Sequence, residues 1–333
     1  MRVLITGGNG FIGRRLAATL LRTGTVTVDD GAPRPIERMT LFDSVAPADG
    51  PRDPRVEVVT GDITERSAVE RVAAEADLVW HLAAVVSAEA EADVDLGYRV
   101  NLDGTRHLLE ALRATGRRPR MVFASSFAVF GGAMPEVITD EFHPTPQSSY
   151  GTQKAIGELL TADYSRKGFV DGRSLRLPTI VVRPGRPNRA ASTFASSIIR
   201  EPLAGEEAVC PVGPDTAIYI LSPRRVVEAL VRAMRLPEPA WGTNRTVALP
   251  GITVTVEAMV HALARVAGEA VVDRIRWEPD PAIQRIVETW PVRAEAQRAR
   301  GMGFADDGTF DAILRAHIED ELGGTLPGGH SVP

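Results

Sequence analysis

Short runs of apolar residues alternate along the chain with longer amphipathic stretches. Up to about residue 178 the segments in order are RVLIT, FIGRRLAATLLRTG, RMTLFD, VEVVTGD, SAVERVAAEA, DLVWHLAA, YRVNLDGTRHLLEALRATG, PRMVFASS and SYGTQKAIGELLTADYSRKG. The shorter runs are continuously apolar, which is typical of parallel strands that are buried on both faces. Because helix-period stretches separate them, the pattern predicts an α/β fold with a doubly wound parallel sheet, the Rossmann arrangement.

The sequence changes in character after about residue 178. RPGRPNRAAS is rich in proline and arginine, and REPLAGEEAVCPVGPD is interrupted by proline and glycine, so the regular elements should become shorter. We expect a first domain at 1–178, to which a segment near 212–235 returns. A smaller, discontinuous C-terminal substrate domain should comprise 179–211 and 236–322, and 323–333 should form a flexible tail.

Composition and charge argue against several classes of protein. Apolar residues make up 44% of the chain and the formal net charge is -5, which suits a globular protein that binds neither nucleic acid nor a membrane surface. No run of about 18 apolar residues could span a membrane. Cys210 is the only cysteine, which favours a reducing cytoplasm. The six histidines show no ligand spacing, so we expect no metal site.

The segment TGGNGFIG connects the first predicted strand to the first helix. Glycines in GxxGxxG spacing permit a tight turn and let the backbone approach a pyrophosphate, while the helix N-terminus supplies partial positive charge. The segment therefore predicts dinucleotide binding by Gly7, Asn9, Gly10, Phe11, Ile12 and Gly13.

An acidic residue at the end of the second strand indicates the type of dinucleotide. A carboxylate there accepts hydrogen bonds from the adenosine ribose and repels a 2′-phosphate. Asp43 closes RMTLFD, whereas Asp29 and Asp30 close TVTVDD, nearer the usual interval of about 20 residues. We choose Asp43 because RMTLFD is the better apolar strand. Either choice predicts NAD rather than NADP.

Tyr150 and Lys154 are four residues apart in a predicted helix, so their side chains share one face. Of the 38 basic residues only Lys154 and Lys167 are lysine. A neighbouring ammonium lowers the pKa of a tyrosine from ~10 and makes it a usable base. Ser125 and Ser126 end the strand PRMVFASS, at the edge where ligands bind. Either hydroxyl could hold the reacting oxygen.

These motifs, together with GDI (61–63), HLAA (81–84), VNLDGT (100–105), SSFAVFG (125–131) and RLPTI (176–180), resemble the extended short-chain dehydrogenase/reductase family. The resemblance covers nearly the whole chain. It implies an NAD-dependent oxidoreductase with Ser126, Tyr150 and Lys154 as the catalytic set. It also implies a homodimer formed through the helices NLDGTRHLLEALRA and AIGELLTADY, whose apolar faces agree with this. Further implied cofactor contacts are Asp62, Ile63, Leu82, Ala83, Ala84, Asn101, Tyr150, Lys154, Pro178 and Ile180.

Within the family, VVSAEAEAD, RLPTIVVRPGRPNRAAS and RAHIEDEL look like enzymes that oxidise a four-carbon sugar acid, D-erythronate. Where nucleotide-sugar epimerases usually carry a segment like RDYIHV, this chain reads AIYILSPRRVVEAL. An epimerase, which releases no NADH, and a non-catalytic NAD-sensing module are the alternatives. A small acid must be fixed by charged and polar groups, for which the candidates are Ser87, Ser125, Ser126, Tyr150, Asn188, Arg189, Ser192 and Arg224.

Overall fold

The computed structural model describes residues 1–47, 53–185 and 191–326. Its strands are β1 (Arg2–Thr6), β2 (Thr25–Val26), β3 (Arg34–Pro35), β4 (Arg38–Asp43), β5 (Val56–Thr60), β6 (Leu78–His81), β7 (Arg120–Ser126), β8 (Asp171–Leu177), β9 (Thr179–Ile180), β10 (Ala208–Cys210), β11 (Ala217–Leu221), β12 (Thr246–Ala248), β13 (Ile252–Thr255) and β14 (Ile275–Trp277).

The α-helices lie between these strands in the alternation that the apolar pattern predicts. They are α1 (Phe11–Thr23), α2 (Arg66–Ala73), α3 (Ser87–Ala92), α4 (Val94–Gly97), α5 (Gly104–Ala114), α6 (Ser149–Arg166), α7 (Phe194–Leu203), α8 (Pro223–Arg235), α9 (Glu238–Trp241), α10 (Val256–Ala267), α11 (Glu269–Val272), α12 (Pro281–Val287), α13 (Gln297–Gly301) and α14 (Phe310–Glu321). A π-helix at Tyr98–Asp103 leads into α5, and 3-10 turns lie at Phe127–Val129 and Ala191–Thr193.

Within the described residues, seven strands form one sheet in the order β12-β8-β7-β6-β1-β4-β5. β1 pairs in parallel with β4 on one side and with β6 on the other. The chain therefore winds outward from β1 in both directions, and the predicted doubly wound sheet is confirmed. The carboxyl ends of β1 and β6 lie at the point where the strand order reverses, which is where open α/β sheets bind ligands.

Alternate residues of the central strand β6 point to opposite faces of this sheet. Val79 lies in a buried cluster with side chains of α2 and α5, such as Val69 and Leu108. Trp80 points to the other face, where its indole N–H donates to the Leu230 carbonyl of α8 (3.0 Å). Helices thus cover both faces, which explains why the strands read as continuous apolar runs.

The chain divides into two compact units, and the division corrects part of the predicted domain plan. The first unit is Met1–Val129, Pro146–Arg176 and Val227–Ala248; the second is Phe130–Thr145, Leu177–Val226 and Leu249–Pro333. One boundary thus falls after Arg176, close to the predicted 178. The segment that returns to the first unit is 227–248 rather than 212–235, because β12 adds to the edge of the sheet beside β8.

The second unit has its own core and its own small sheets. β11 pairs in parallel with β9 and antiparallel with β13, and β10 pairs in parallel with β14. Helices α7, α10 and α14 contribute most of the buried apolar side chains. Cys210 lies in this core, and burial raises the pKa of its thiol. The cytoplasmic location that the single cysteine favours stays a prediction. No helix in the described part of the chain is long and apolar enough to cross a membrane.

Candidate active site

The glycine-rich turn follows β1 directly and has the geometry of a phosphate cradle. Gly7 adopts a φ of +68°, and a Cβ there would lie 2.8 Å from the Ala83 nitrogen. A Cβ on Gly13 would overlap the Gly7 carbonyl, so α1 can approach the turn only with glycine at this position. Asn9 Oδ1 is buried without a hydrogen-bond partner among the described residues. The open cradle and the unpaired acceptor fit a bound dinucleotide.

Asp43 ends β4, the strand beside β1, and its carboxylate lies against the same turn. It accepts hydrogen bonds from the backbone N–H groups of Asn9 (2.9 Å) and Val45 (3.2 Å). Asp29 and Asp30 instead follow the short strand β2, with Asp29 bound to an arginine at the start of β7. The strand assignment that favoured Asp43 is therefore the one observed. The contact of Asp43 with an adenosine ribose stays a prediction.

The other segments predicted to follow the cofactor also lie at or after the ends of strands. Asp62 and Ile63 come just after β5; the Asp62 carboxylate accepts the Thr64 N–H (2.8 Å), and Ile63 is buried in the sheet core. Leu82 to Ala84 follow β6, and the Leu82 N–H donates to the Thr6 carbonyl (3.1 Å). These positions agree with a cofactor lying along the carboxyl edge of the sheet.

His81 connects β1 to α5 through a buried hydrogen-bond chain. The Thr105 hydroxyl donates to the Asn101 carbonyl (2.6 Å), so it accepts from His81 Nε2 (2.9 Å). Nδ1 of His81 must then accept from the Thr6 hydroxyl (2.7 Å). Burial, reinforced by the charge of Lys154, lowers the pKa of His81 to about 3. The ring is therefore neutral and serves to position the turn after β1.

Asn101 connects the loop after β6 to helix α6. Its side-chain carbonyl accepts the Val85 N–H (2.9 Å), and its amide donates to the Val85 carbonyl (3.1 Å) and to Gln153 Oε1 (2.8 Å). Asn101 lies in the π-helix, a distortion that often marks functional sites. Ser87 is the first residue of α3 and is partly exposed.

Tyr150 and Lys154 lie in the first two turns of α6, which begins where the Ser148 hydroxyl accepts the Gly151 N–H (3.1 Å). Lys154 is buried, and its Nζ donates to the Ala124 carbonyl (2.8 Å) and lies 5.6 Å from the centre of the Tyr150 ring. Burial lowers the pKa of Lys154 to about 8, against the opposing effect of Glu158. The structure thus brings the ammonium next to the tyrosine, as the spacing predicted.

The two serines at the end of β7 have different environments. Ser125 is buried, and its hydroxyl donates to Glu158. Ser126 is partly exposed, and its oxygen accepts the Ala128 N–H (3.1 Å). The structure disfavours the predicted contact of Ser125 with the substrate, because the only hydroxyl proton of Ser125 is used inside the first unit. Ser126 stays the predicted catalytic serine.

Several candidates belong to the second unit. Pro178 immediately precedes β9, and Ile180 lies in this strand and pairs with β11. Arg224 pairs with the carboxylates of Glu319 (2.8 Å) and Asp320 (2.7 Å). The structure disfavours its predicted contact with a substrate carboxylate, because its charge is already compensated. Asn188 and Arg189 lie outside the described residues.

The sequence pattern did not single out Arg183, because this arginine precedes the loop that was expected to face the substrate. Arg183 Nη2 donates to the Ser192 hydroxyl (3.2 Å), and Ser192 is one of the predicted substrate residues. Arg183 begins the stretch RPGRPNR, which also contains the predicted residues Asn188 and Arg189. Arg183 is thus a further cation beside the candidate substrate segment.

In the described parts of the chain, no three His, Cys, Asp or Glu side chains converge as metal ligands, and the absence of a metal stays a prediction.

A glycine cradle after β1, a carboxylate at the end of β4 and a Tyr–Lys pair on α6 together define a class of NAD-dependent enzymes, and comparison with known proteins agrees. Residues 3–241 match the model of the NAD dependent epimerase/dehydratase family. The chain belongs to this family, which is part of the extended short-chain dehydrogenases/reductases, and is an NAD-dependent oxidoreductase that acts on a CH–OH group.

Individual relatives match over almost their whole length. The chain is 56% identical to D-erythronate dehydrogenase of Cupriavidus necator, over 96% of this chain and 98% of that protein. It is 46% identical to D-erythronate dehydrogenase of Haemophilus influenzae, over 97% and 100% respectively. A crystal structure from Agrobacterium tumefaciens, described as a nucleoside-diphosphate-sugar epimerase, superposes with a TM-score of 0.93 at 46% identity, covering 98% of this chain and 96% of that one.

Proposed function

We propose that this protein is a sugar-acid dehydrogenase that oxidises D-erythronate to 2-oxo-D-erythronate with NAD. The observation that carries the proposal is the 56% identity to a D-erythronate dehydrogenase over 96% of the chain. The first unit supports it, because the glycine cradle, Asp43 and the Tyr150–Lys154 pair provide a site for NAD and a base.

In this mechanism the side chains of the first unit handle the proton. NAD, when bound, accepts the hydride of the alcohol carbon. Tyr150, as the phenolate that the ammonium of Lys154 stabilises, takes the proton of the hydroxyl, and Lys154 would also hydrogen-bond the ribose hydroxyls of a bound dinucleotide. Ser126 orients the reacting oxygen by a hydrogen bond. Asp43 and the glycine turn hold the dinucleotide.

Recognition of the substrate carboxylate requires a cation, because a small hydrophilic acid offers little apolar surface. Arg189 is the predicted partner, and Arg183 beside Ser192 is a second candidate in the same unit. A guanidinium that meets a carboxylate supplies both attraction and orientation. We expect Arg189→Ala or Arg183→Ala to impair oxidation of D-erythronate much more than oxidation of erythritol, a neutral polyol of equal length. Equal losses on both substrates would contradict a carboxylate clamp.

The test of the proposed function is a screen of C4 to C6 aldonates and uronates for NADH absorbance. We expect D-erythronate to give the highest kcat/KM and Tyr150→Phe to lower turnover by about 10²- to 10⁴-fold, the usual contribution of a general base. The substitution keeps the aromatic ring and removes only the hydroxyl, so folding should be unaffected.

A nucleotide-sugar epimerase is the second candidate, favoured by the description of the Agrobacterium structure. It would interconvert nucleotide sugars without net NADH, so nucleotide sugars are added to the screen and their interconversion is followed by chromatography. Activity on nucleotide sugars alone would overturn the dehydrogenase proposal. A non-catalytic NAD sensor needs neither Tyr150 nor Lys154. Such a protein would bind NAD but turn over neither sugar acids nor nucleotide sugars.

We also propose a homodimer, formed through α6 and the neighbouring π-helix and α5. Leu159 on α6 is 71% exposed, and Tyr98 and Val94 on the segment packed beside α6 are also exposed. Exposed apolar side chains on adjacent helices are typical of an interface. Light scattering should give a dimer at micromolar concentration. Leu159→Glu should give a monomer, whereas Ile286→Glu, at an exposed apolar position of the second unit, should not. A monomeric wild type would contradict the proposal.

A further inference from the structure

A buried polar cluster lies behind the catalytic lysine, built from Glu158 of α6, Ser125 of β7 and Arg176 of β8. The Glu158 side chain is only 5% exposed and that of Arg176 12%. Arg176 donates to the carboxylate through Nε (2.9 Å) and Nη2 (2.7 Å), and the Ser125 hydroxyl donates to Oε1. A two-pronged ion pair with a third hydrogen bond fixes the carboxylate in one position.

This cluster and the catalytic lysine connect the same two elements. Lys154 and Glu158 are four residues apart on α6, so they lie on one face of the helix. The residues that they bind, Ala124 and Ser125, are consecutive at the end of β7. Ser126 follows immediately. The two links therefore fix the position of the strand end from which Ser126 projects.

The buried ammonium of Lys154 needs compensation, because burial disfavours a charge. Its Nζ lies 4.8 Å from the centre of the Phe123 ring and makes one hydrogen bond, to a backbone carbonyl, among the described residues. The Glu158 carboxylate is the group that opposes the lowering of the Lys154 pKa. Arg176 limits this effect, since it neutralises the same carboxylate.

We infer that Glu158, held by Ser125 and Arg176, is a positioning residue that keeps Lys154 charged and fixes the end of β7 ahead of Ser126. The inference rests on the proposed function in so far as Lys154 and Ser126 serve the reaction. Glu158 itself acts only through these neighbours, because both its oxygens are engaged inside the unit.

The remaining titratable and charged groups around Lys154 cannot take this role. His81 at the end of β6 is neutral, because its pKa is about 3. Tyr150 on α6 is the group that Lys154 is proposed to serve. Glu91 of α3 is bound to the Ser149 N–H at the start of α6 (2.9 Å). Glu158 is thus the carboxylate that the structure couples to the ammonium.

The sequence allows a direct measurement, since Lys154 and Lys167 are the only lysines. Lysine labelled with ¹³C and ¹⁵N would give two side-chain signals in the full-length protein, and Lys167, which is exposed, is the internal control. The pH titration of the Lys154 signal can be recorded without substrate, both with and without NAD. It therefore reports on Glu158 even if the proposed substrate is wrong.

Two charge variants should move this titration in opposite directions. Glu158→Gln removes the carboxylate and leaves the Arg176 cation uncompensated, so the pKa of Lys154 should fall by about one unit. Arg176→Met leaves the carboxylate unpaired, so the pKa should rise. Ser125→Ala keeps both charges and should shift it least. The double variant Glu158→Gln/Arg176→Met should fall between the two single variants, which keeps the test usable if one of them does not fold.

Activity gives the second readout. In the wild type, kcat/KM should decline as pH rises through about 8, where Lys154 loses its proton. The pH at which kcat/KM declines should be lower in Glu158→Gln and higher in Arg176→Met. Loss of activity without a change in either titration, or shifts of the same sign in both charge variants, would overturn the inference and leave Glu158 a packing residue. If the Lys154 signals shift as expected but no sugar acid is oxidised, only the proposed function fails.

Discussion

Buried charged groups lie at both ends of the strands in the parallel sheet of the first unit. The end at which the strands begin is called the amino edge, and the end at which they finish is called the carboxyl edge. At the amino edge, Asp171 at the start of β8 binds the guanidinium groups of Arg120 (2.7 Å), Arg173 (2.8 Å) and Arg245 (3.3 Å). At the carboxyl edge, Lys154 binds the end of β7 and Asn9 belongs to the glycine turn. Both edges hold polar groups away from water, but the cations of the amino edge bind carboxylates, whereas Lys154 binds one backbone carbonyl among the described residues.

Each arginine of the amino edge binds at least two partners. Arg173 donates to the Leu236 carbonyl (2.6 Å) and Arg120 to the Met234 carbonyl (2.9 Å). These carbonyls follow or end α8, where carbonyl groups lack partners within the helix. The cluster therefore terminates α8 and joins it to the sheet. By contrast, Lys154 has three donor hydrogens and makes one hydrogen bond among the described residues.

A cleft of about 520 Å³ opens at the amino edge, lined by residues that include Asp29, Asp77, Arg118 and Glu238. Several of its charges are already paired: Arg118 binds Glu238 (2.6 Å) and Asp29 binds Arg120 (2.6 Å). The residues that line this cleft include neither the glycine turn nor the Tyr150–Lys154 pair. Unsatisfied polar groups at the switch point of the sheet are the better indicator.

The comparison predicts that damage at the amino edge affects stability and not catalysis. Asp171→Asn leaves three buried guanidinium groups without their common counter-ion, so the free energy of unfolding should fall by about 3–5 kcal/mol. Turnover of the folded enzyme should stay within about twofold of wild type, since the length of β7 separates Arg120 of the cluster from Ser126 at the other end of the strand. Denaturant unfolding and kcat measure the two effects.

The control for this variant is Asp163→Asn, which breaks an exposed ion pair with Arg166 on α6. It should cost less than about 1 kcal/mol, as surface pairs do. A stability loss for Asp171→Asn no greater than that of the control would show that the amino-edge cluster contributes little.

At the carboxyl edge the shape of the cation should matter as well as its charge. Lys154→Arg keeps the charge but replaces a compact ammonium with a planar guanidinium. We expect turnover to fall at least about tenfold, or ~1.4 kcal/mol in the barrier. Lys167→Arg, at the exposed lysine just after α6, is the matched control and should be neutral. Near-normal turnover of folded Lys154→Arg would mean that charge alone suffices.

Local patterns were sufficient for the sheet, the glycine turn, the Tyr–Lys pair and the strand that ends in Asp43. They were not sufficient where partners come from distant segments. Glu158 meets Ser125 and Arg176, which lie 33 and 18 residues away in the chain, and no local signal pairs them. The two serines of β7 could not be distinguished from the sequence because residues on both faces of that strand are buried. The apolar pattern therefore did not separate a buried face from an exposed one.

The predicted bounds of the returning segment were wrong for a similar reason. The segment 227–248 returns to the first unit because β12 pairs with β8, and this pairing depends on an edge that only the folded sheet presents. Arg224 was predicted from its position in a segment expected to face the substrate, yet acidic residues of α14 compensate it. Long-range ion pairs are thus the main feature that the sequence pattern did not reveal.

The smallest effect that we predict concerns the choice of cofactor at the carboxyl edge. Asp43→Ala removes an acceptor for the ribose hydroxyls, and the affinity for NAD should fall by about five- to tenfold, the equivalent of one net hydrogen bond of ~1–1.4 kcal/mol. The affinity for NADP should change less, because the repulsion of its 2′-phosphate is removed at the same time. Titration of tryptophan fluorescence with each dinucleotide measures both dissociation constants.

Asp30→Ala is the control, since Asp30 binds Arg235 beyond the end of β2 (2.7 Å) and its loss should leave both affinities unchanged. If Asp30→Ala shifts them and Asp43→Ala does not, the ribose partner belongs to the other acidic pair and the assignment of Asp43 is wrong.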